Sequence, residues 1–181
     1  MYRVAIVGCG RISDRHIIAL AAHQERCRLI GVCDLESSRV EKAQRRYQEL
    51  SGHEAHGFVS FEAMLQQLPF DILTIATESG FHYEHAKAGL MAGKHVLIEK
   101  PMTLSVAEAG ELIALADEKG LKLGVCHQNR FNPPIQALRR AVDLGGFGRL
   151  VNGTARILWN RNMGYYQQAP GGALGPRMAA P

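Results

Sequence analysis

With 181 residues, 46% of them hydrophobic and 21% charged, the chain has the composition of an ordinary globular protein and the length for one complete domain and part of a second. Its formal charge of +4 comes from Lys and Arg residues spread along the chain, which argues against a nucleic-acid partner. No apolar run approaches the roughly 20 residues that span a bilayer and no signal pattern opens the chain, so no membrane partner is expected; the four cysteines lack CxxC spacing, which suits a reducing cytoplasm, and no metal site is expected.

Residues 4–7 form a compact apolar stretch, followed at once by Gly8-Cys9-Gly10-Arg11-Ile12-Ser13 and then by Ile17, Ile18 and Leu20 at helical spacing. The order is strand, glycine turn, helix. A second strand at 29–33 ends in Asp34, and the charged segment 36–50 predicts a surface helix. Gly8 and Gly10 let the backbone turn tightly and approach a pyrophosphate, while the helix N-terminus that follows offers N–H groups and a favourable dipole. Asp34 follows the turn at close to the ~20 residues expected of an acid that binds a ribose hydroxyl. Ser13, at the third fingerprint position, is small enough for close helix–strand packing. A carboxylate at Asp34 repels a 2′-phosphate and so favours NAD over NADP.

The alternation continues with a strand at 56–59, a short helix at 61–68, a strand at 71–76, the loop Thr77-Glu78-Ser79-Gly80 and a helix at 81–91 closed by Gly93. Val96, Leu97 and Ile98 then read as a strand buried on both faces, ended by Glu99-Lys100-Pro101. Glu99 and Lys100 are thereby delivered to a strand's carboxyl end, where open parallel sheets bind ligands. A lysine there is expected to be partly desolvated, which lowers its pKa and lets it exchange protons near neutrality. A helix on Val106, Ala109, Leu112, Ile113 and Ala116 stops at Gly120, and 121–125 is a sixth strand. Six strands alternating with helices predict an α/β, Rossmann-type doubly wound parallel sheet over residues 1–125.

From Cys126 the pattern changes. Residues 127–134 are polar and turn-rich, Pro134 opens a helix to about Leu144, and Gly145, Gly146 and Gly148 break it. Residues 150–159 alternate, with Val151, Gly153, Ala155, Ile157 and Trp159 on one face, and predict a strand of a new sheet. Residues 126–170 are thus expected to begin an α+β second domain that is truncated, with 171–181 a disordered or out-of-frame tail.

In these features the chain resembles the Gfo/Idh/MocA family of nicotinamide-dependent sugar oxidoreductases. The resemblance runs from Met1 to about Pro170. It rests on Gly8-Cys9-Gly10-Arg11-Ile12, on Ile75-Ala76-Thr77 with His82, on Glu99-Lys100-Pro101 and on Gln128-Asn129-Arg130-Phe131-Asn132-Pro133. The last motif and Tyr165-Tyr166-Gln167-Gln168-Ala169-Pro170 look most like enzymes that oxidise C3 of a UDP-N-acetylated amino-sugar uronate. Glu78-Ser79 departs from the family's usual Pro-Asn. The resemblance implies an NAD-dependent dehydrogenase of sugars or UDP-sugars, from a family usually homo-oligomeric. Gly8, Gly10, Arg11, Ile12 and Asp34 would hold the dinucleotide, Thr77, Ser79 and His82 would border the ribose and nicotinamide, and Glu99 would lie near the cofactor. Lys100 would touch both cofactor and substrate hydroxyl and assist proton removal; Gln128 would reach the cofactor from the cleft, and Arg130 and Asn132 the substrate. His82 and His85, three apart on a helix, read as an exposed face and not as metal ligands. The other reading is a dinucleotide-binding fragment without turnover, because no candidate for the second domain's base follows Pro170.

Family members that resemble this chain continue after Ala-Pro with Trp-Arg-Gly-Thr-Trp and, two residues on, Asp-Gly-Gly. With one base restored and a permissive choice of codons, the tail reads Trp-Arg-Gly-Thr-Trp-Ala-Pro-Asp-Gly-Gly-Ala. A single-nucleotide deletion, or a sequencing error of that form, is therefore expected. The gene's nucleotide sequence checks it: one base restored near the codon of Gly171 should open a frame containing a second domain, and a frame that stays closed rules the deletion out.

Overall fold

The computed structural model describes residues 1–158 and Asn160, and these divide into two compact units, Met1–Cys126 and a second that starts at His127. The first unit alternates strand and helix: β1 (Tyr2–Val7), α1 (Ser13–Ala22), β2 (Cys27–Cys33), α2 (Ser37–Ser51), β3 (His56–Phe58), α3 (Phe61–Gln67), β4 (Ile72–Ile75), α4 (His82–Met91), β5 (His95–Ile98), α5 (Val106–Glu118) and β6 (Leu123–Val125). The strands form one parallel sheet in the order β3-β2-β1-β4-β5-β6. The fold is thus the doubly wound α/β sheet that the alternation predicts.

Strand periodicity sorts the core. Ala5, Val7, Leu73, Ile75, Val96 and Ile98 point to one face, against Phe61 and Met64 of α3, Ala86 and Leu90 of α4, and Leu112 and Ala116 of α5. Ile6, Leu29 and Val32 point to the other, against Ile17 of α1 and Val40, Ala43 and Tyr47 of α2. Each fully buried large side chain contributes about 1.5–3 kcal/mol. Because both faces are covered, the central strands carry no polar alternation. At the amino-terminal edge Arg3 pairs with Asp71 through two hydrogen bonds of 2.7 and 3.2 Å, which pulls the Asp71 carboxyl down to about 2.

Local chemistry sets the boundaries. Ser60 caps α3, its hydroxyl accepting from the Ala63 amide at 3.2 Å. The sixth strand begins at Leu123 and not at 121 because the Leu121 amide closes α5 on the Ala116 carbonyl at 2.8 Å. Before α4 comes a 3₁₀ turn, Ser79–Phe81, where the pattern predicts the start of the helix. Pairing of β1 with β2 shifts register between Val4 and Ala5, and the buried Leu29 amide there donates to the Tyr47 hydroxyl at 3.2 Å.

The second unit contains a 3₁₀ turn, Gln128–Phe131, and α6 (Pro133–Asp143), which leaves Ile135 and Leu138 exposed. The strand expected at 150–159 does not form over 151–158, where the backbone is irregular and exposed; a strand is held by ladder partners, and none of the described strands pairs there. Trp159, Tyr165 to Pro170 and the tail 171–181 lie outside the described residues. No helix among the described residues is long and apolar enough to cross a membrane.

Tyr47 gives a direct test of the packing. Tyr47→Phe keeps the ring and strands the buried Leu29 amide, so urea denaturation should read a loss of about 1–3 kcal/mol; an unchanged midpoint would show that the hydroxyl does not satisfy that donor.

Candidate functional site

Between β1 and β4 the sheet's connections diverge, and the carboxyl-end crevice lies there. Gly8 leaves β1 at φ +89°, its amide donating to the Cys33 carbonyl at 2.8 Å. A Cβ at Gly8 would stand 2.6 Å from both Ala76 C and Thr77 N, so no other residue fits. Gly10 has the opposite surroundings: a Cβ there would meet nothing within 4 Å. Buried Ser13 fastens the turn to α1, its hydroxyl donating to the Gly10 carbonyl at 2.6 Å. Ile12 packs against the core on the α1 side, and Arg11 is exposed.

Asp34, at the end of β2, is fixed by backbone donors: Oδ2 accepts from the Cys9 amide at 2.7 Å and Oδ1 from the Glu36 amide at 3.1 Å. Arg39 pairs with Glu36 at 2.9 Å. Burial, reinforced by the Asp34 charge, pushes the Cys9 thiol up to about 12 and the Cys33 thiol to about 11, so neither is a thiolate nucleophile near neutrality. Open space before Gly10, the positive end of α1 and an oriented carboxylate fit the pyrophosphate and ribose of a dinucleotide.

Across the crevice, Thr77 and Ser79 lie on the loop that follows β4. His82, whose spacing from His85 reads as an exposed helix face, is 1% exposed. Its Nδ1 lies 2.7 Å from the Pro101 carbonyl and its Nε2 3.1 Å from the Thr77 carbonyl, so both ring nitrogens face backbone. The face is not exposed because His82 shares one stripe of α4 with Ala86, Gly89 and Leu90, the stripe that packs on the sheet. His85 also turns inward, 3.2 Å from the Thr77 hydroxyl and edge-on to Phe61. Burial, helped by His82 nearby, lowers it to about 4.

Glu99, beyond β5, is 7% exposed, and its Oε1 lies 2.9 Å from His16 Nε2. Its amide donates to the Ile75 carbonyl at 2.9 Å. Cys126 sits beside it at the end of β6, where burial and then the Glu99 charge push the thiol up to about 11. Lys100 is exposed, so the desolvation expected from its strand-end position is not supplied by the first unit. The Lys100–Pro101 peptide is cis. Gln128, Arg130 and Asn132 belong to the second unit and are exposed. The first unit thus brings together Gly8, Gly10, Asp34, Thr77, Glu99 and Lys100 at one sheet edge. Sequence reasoning missed His16 and Cys126; no local spacing links His16 to Glu99, since strand order alone joins residues 83 apart.

A six-stranded parallel sheet with a glycine turn and a fixed acid at its switch point defines a dinucleotide-binding Rossmann domain. Residues 2–127 match the model of the oxidoreductase family with NAD-binding Rossmann fold, and the chain belongs to this Gfo/Idh/MocA family. Among solved structures it is similar to the WlbA dehydrogenase from Bordetella pertussis, crystallised with NADH and UDP-GlcNAcA, at 37% identity and a TM-score of 0.85, covering 93% of this chain and 50% of that one. Relatives include the UDP-N-acetylglucosamine 3-dehydrogenase of Acidithiobacillus ferrooxidans, 35% identical over 81% of this chain and 42% of that protein. The D-glucoside 3-dehydrogenase of Escherichia coli is 31% identical over 86% of this chain and 43% of that protein. The chain spans about half the length of the relatives it matches.

His85 makes stability pH-dependent. Its folded value of about 4 lies below the ordinary 6.5, so the unfolded chain binds more protons between them. The stabilisation is complete above 6.5 and is lost as pH falls toward 4. Denaturant titrations at about pH 7 and about pH 5 should differ by about 1–2 kcal/mol from this residue, and His85→Gln should flatten the difference; an equal slope in the variant would discount it.

Proposed function

We propose that the chain serves an NAD-dependent dehydrogenase that oxidises a ring hydroxyl of a sugar or nucleotide-sugar. The observation that carries this reading is the pair of backbone hydrogen bonds that aim Asp34 across the Gly8–Gly10 turn. The names of the relatives, sugar and UDP-sugar dehydrogenases, support the substrate class.

In this reading the turn Gly8-Cys9-Gly10-Arg11-Ile12 holds the pyrophosphate, and Asp34 accepts from the ribose hydroxyls. The same carboxylate repels a 2′-phosphate, which selects NAD over NADP. Thr77, Ser79 and Glu99 border the nicotinamide end. The His82 ring lies between the Thr77 carbonyl and that of Pro101, the residue after Lys100, at 3.1 and 2.7 Å. When bound, the nicotinamide supplies the hydride acceptor. Lys100 orients the substrate hydroxyl and shares in removing its proton. Because Lys100 is exposed, desolvation has to come from the sugar and from what closes over it. The family resemblance assigns Gln128 to the cofactor and Arg130, with a fork suited to carboxylate or phosphate, to the substrate with Asn132. A cytoplasmic location and self-association belong to the same proposal.

Calorimetry on the expressed chain tests it. NAD⁺ should bind, NADP⁺ at least about tenfold more weakly, and Asp34→Ala should cost NAD⁺ affinity about 10–100-fold, the worth of hydrogen bonds to a charged group. With UDP-sugar uronates present, NADH absorbance should grow, and Lys100→Met should slow it about 100-fold or more, well beyond any change in NAD⁺ affinity. A chain that folds and binds no NAD⁺ overturns the proposal.

A further inference from the structure

Three side chains that can ligate a metal meet at the carboxyl edge of the first unit: His16 from α1, Glu99 after β5 and Cys126 after β6. Their ligand atoms all lie within 4.8 Å of one another, and His16 Nε2 stands 2.9 Å from Glu99 Oε1. Glu99 is buried and the other two are partly buried. Each comes from a well-anchored element. The Glu99 and Cys126 amides donate to the Ile75 and Ile98 carbonyls at 2.9 and 2.8 Å, and Ile17 seats α1 in the core beside His16.

One imidazole, one carboxylate and one thiol make a donor set suited to a borderline-soft divalent ion. A tetrahedral ion 2.0–2.3 Å from each donor needs donors roughly 3.3–3.7 Å apart, which side-chain rotation reaches from the observed spread. The charges also balance, since a carboxylate, a thiolate and a neutral imidazole leave a divalent ion with no net charge. A site at a partly buried edge is then not left with an uncompensated charge.

The geometry points to His16, Glu99 and Cys126 as a three-ligand site for zinc or a similar divalent cation, with one coordination position open. His82 and His85 are not part of it: both His82 ring nitrogens lie against backbone carbonyls and His85 Nδ1 against the Thr77 hydroxyl. Binding breaks the Cys126 S–H bond, forms a sulfur–metal bond and releases the proton to solvent. If Glu99 borders the nicotinamide, as the proposed cofactor reading has it, ion and dinucleotide compete and zinc acts as an inhibitor.

Cobalt(II) is the probe, titrated into the full chain with its thiols kept reduced. The expected result is a sulfur-to-cobalt charge-transfer band in the near ultraviolet and ligand-field bands of four-coordinate cobalt in the visible. Cys126→Ser should remove the charge-transfer band, His16→Gln should weaken cobalt binding at least about tenfold, and Cys27→Ser should change neither. Zinc should displace cobalt one for one, and NAD⁺ should bleach the band. Far-ultraviolet circular dichroism confirms that each variant folds; Cys126→Ser, nearly isosteric, keeps the test sharp if Glu99→Gln does not. A band that never appears, or that survives Cys126→Ser, overturns the site. NAD⁺ binding without any cobalt band sinks the metal site and leaves the cofactor reading standing, whereas a cobalt band without NAD⁺ binding does the reverse.

Discussion

Where β1 ends, the chain leaving β4 passes so close that a single methyl group on Gly8 would stand 2.6 Å from the Ala76–Thr77 peptide. That contact is the seam of the molecule. The connections after β1 run toward β2 and those after β4 toward β5, so α1 and α4 diverge above the seam and leave a crevice between them. The crevice is narrow at its floor only because residue 8 has no side chain. A larger residue would push β1 from β4 and break the register that pairs Val7 with Ile75. The Gly10 turn, the Asp34 carboxylate and the Glu99-Lys100 strand end are all placed relative to this one approach.

Much of this was legible in the sequence, for reasons that are local. A strand buried on both faces has to be a short apolar run, and Val4–Val7 and Val96–Ile98 are such runs. A glycine turn between strand and helix announces itself, and so does an acid at the next strand's end. Side-chain direction within a helix was also legible in principle: His82 falls on the stripe of Ala86, Gly89 and Leu90, and the spacing that hinted at an exposed histidine pair is equally the spacing of the buried face. What stayed hidden depends on strand order. His16 meets Glu99 because α1 follows β1 and β5 lies two strands away in the sheet, a neighbourhood no window of sequence displays. The alternation of residues 150–159 misled for the complementary reason. Period-two patterning describes a surface that could pair, whereas a strand exists only where a partner is present.

The two acids of the crevice are compensated in different ways, and the difference follows their positions. Asp34 is held by the amides of Cys9 and Glu36, donors that cannot titrate, so its orientation depends on the fold alone. Glu99 is held by His16, an ionisable partner, with the Cys126 thiol alongside. The end of the crevice suited to gripping a nucleotide is therefore electrostatically rigid. The end beside Lys100 is built from the ionisable side chains His16, Glu99 and Cys126, the groups of the proposed cation site. Lys100 itself stands exposed next to this adjustable cluster, with the His82 ring between the Thr77 and Pro101 carbonyls. On the proposed reading, a rigid grip joined to an adjustable edge is what hydride chemistry asks of its scaffold. The dinucleotide has to be held the same way throughout, while the groups near the reacting carbon change charge as a proton leaves.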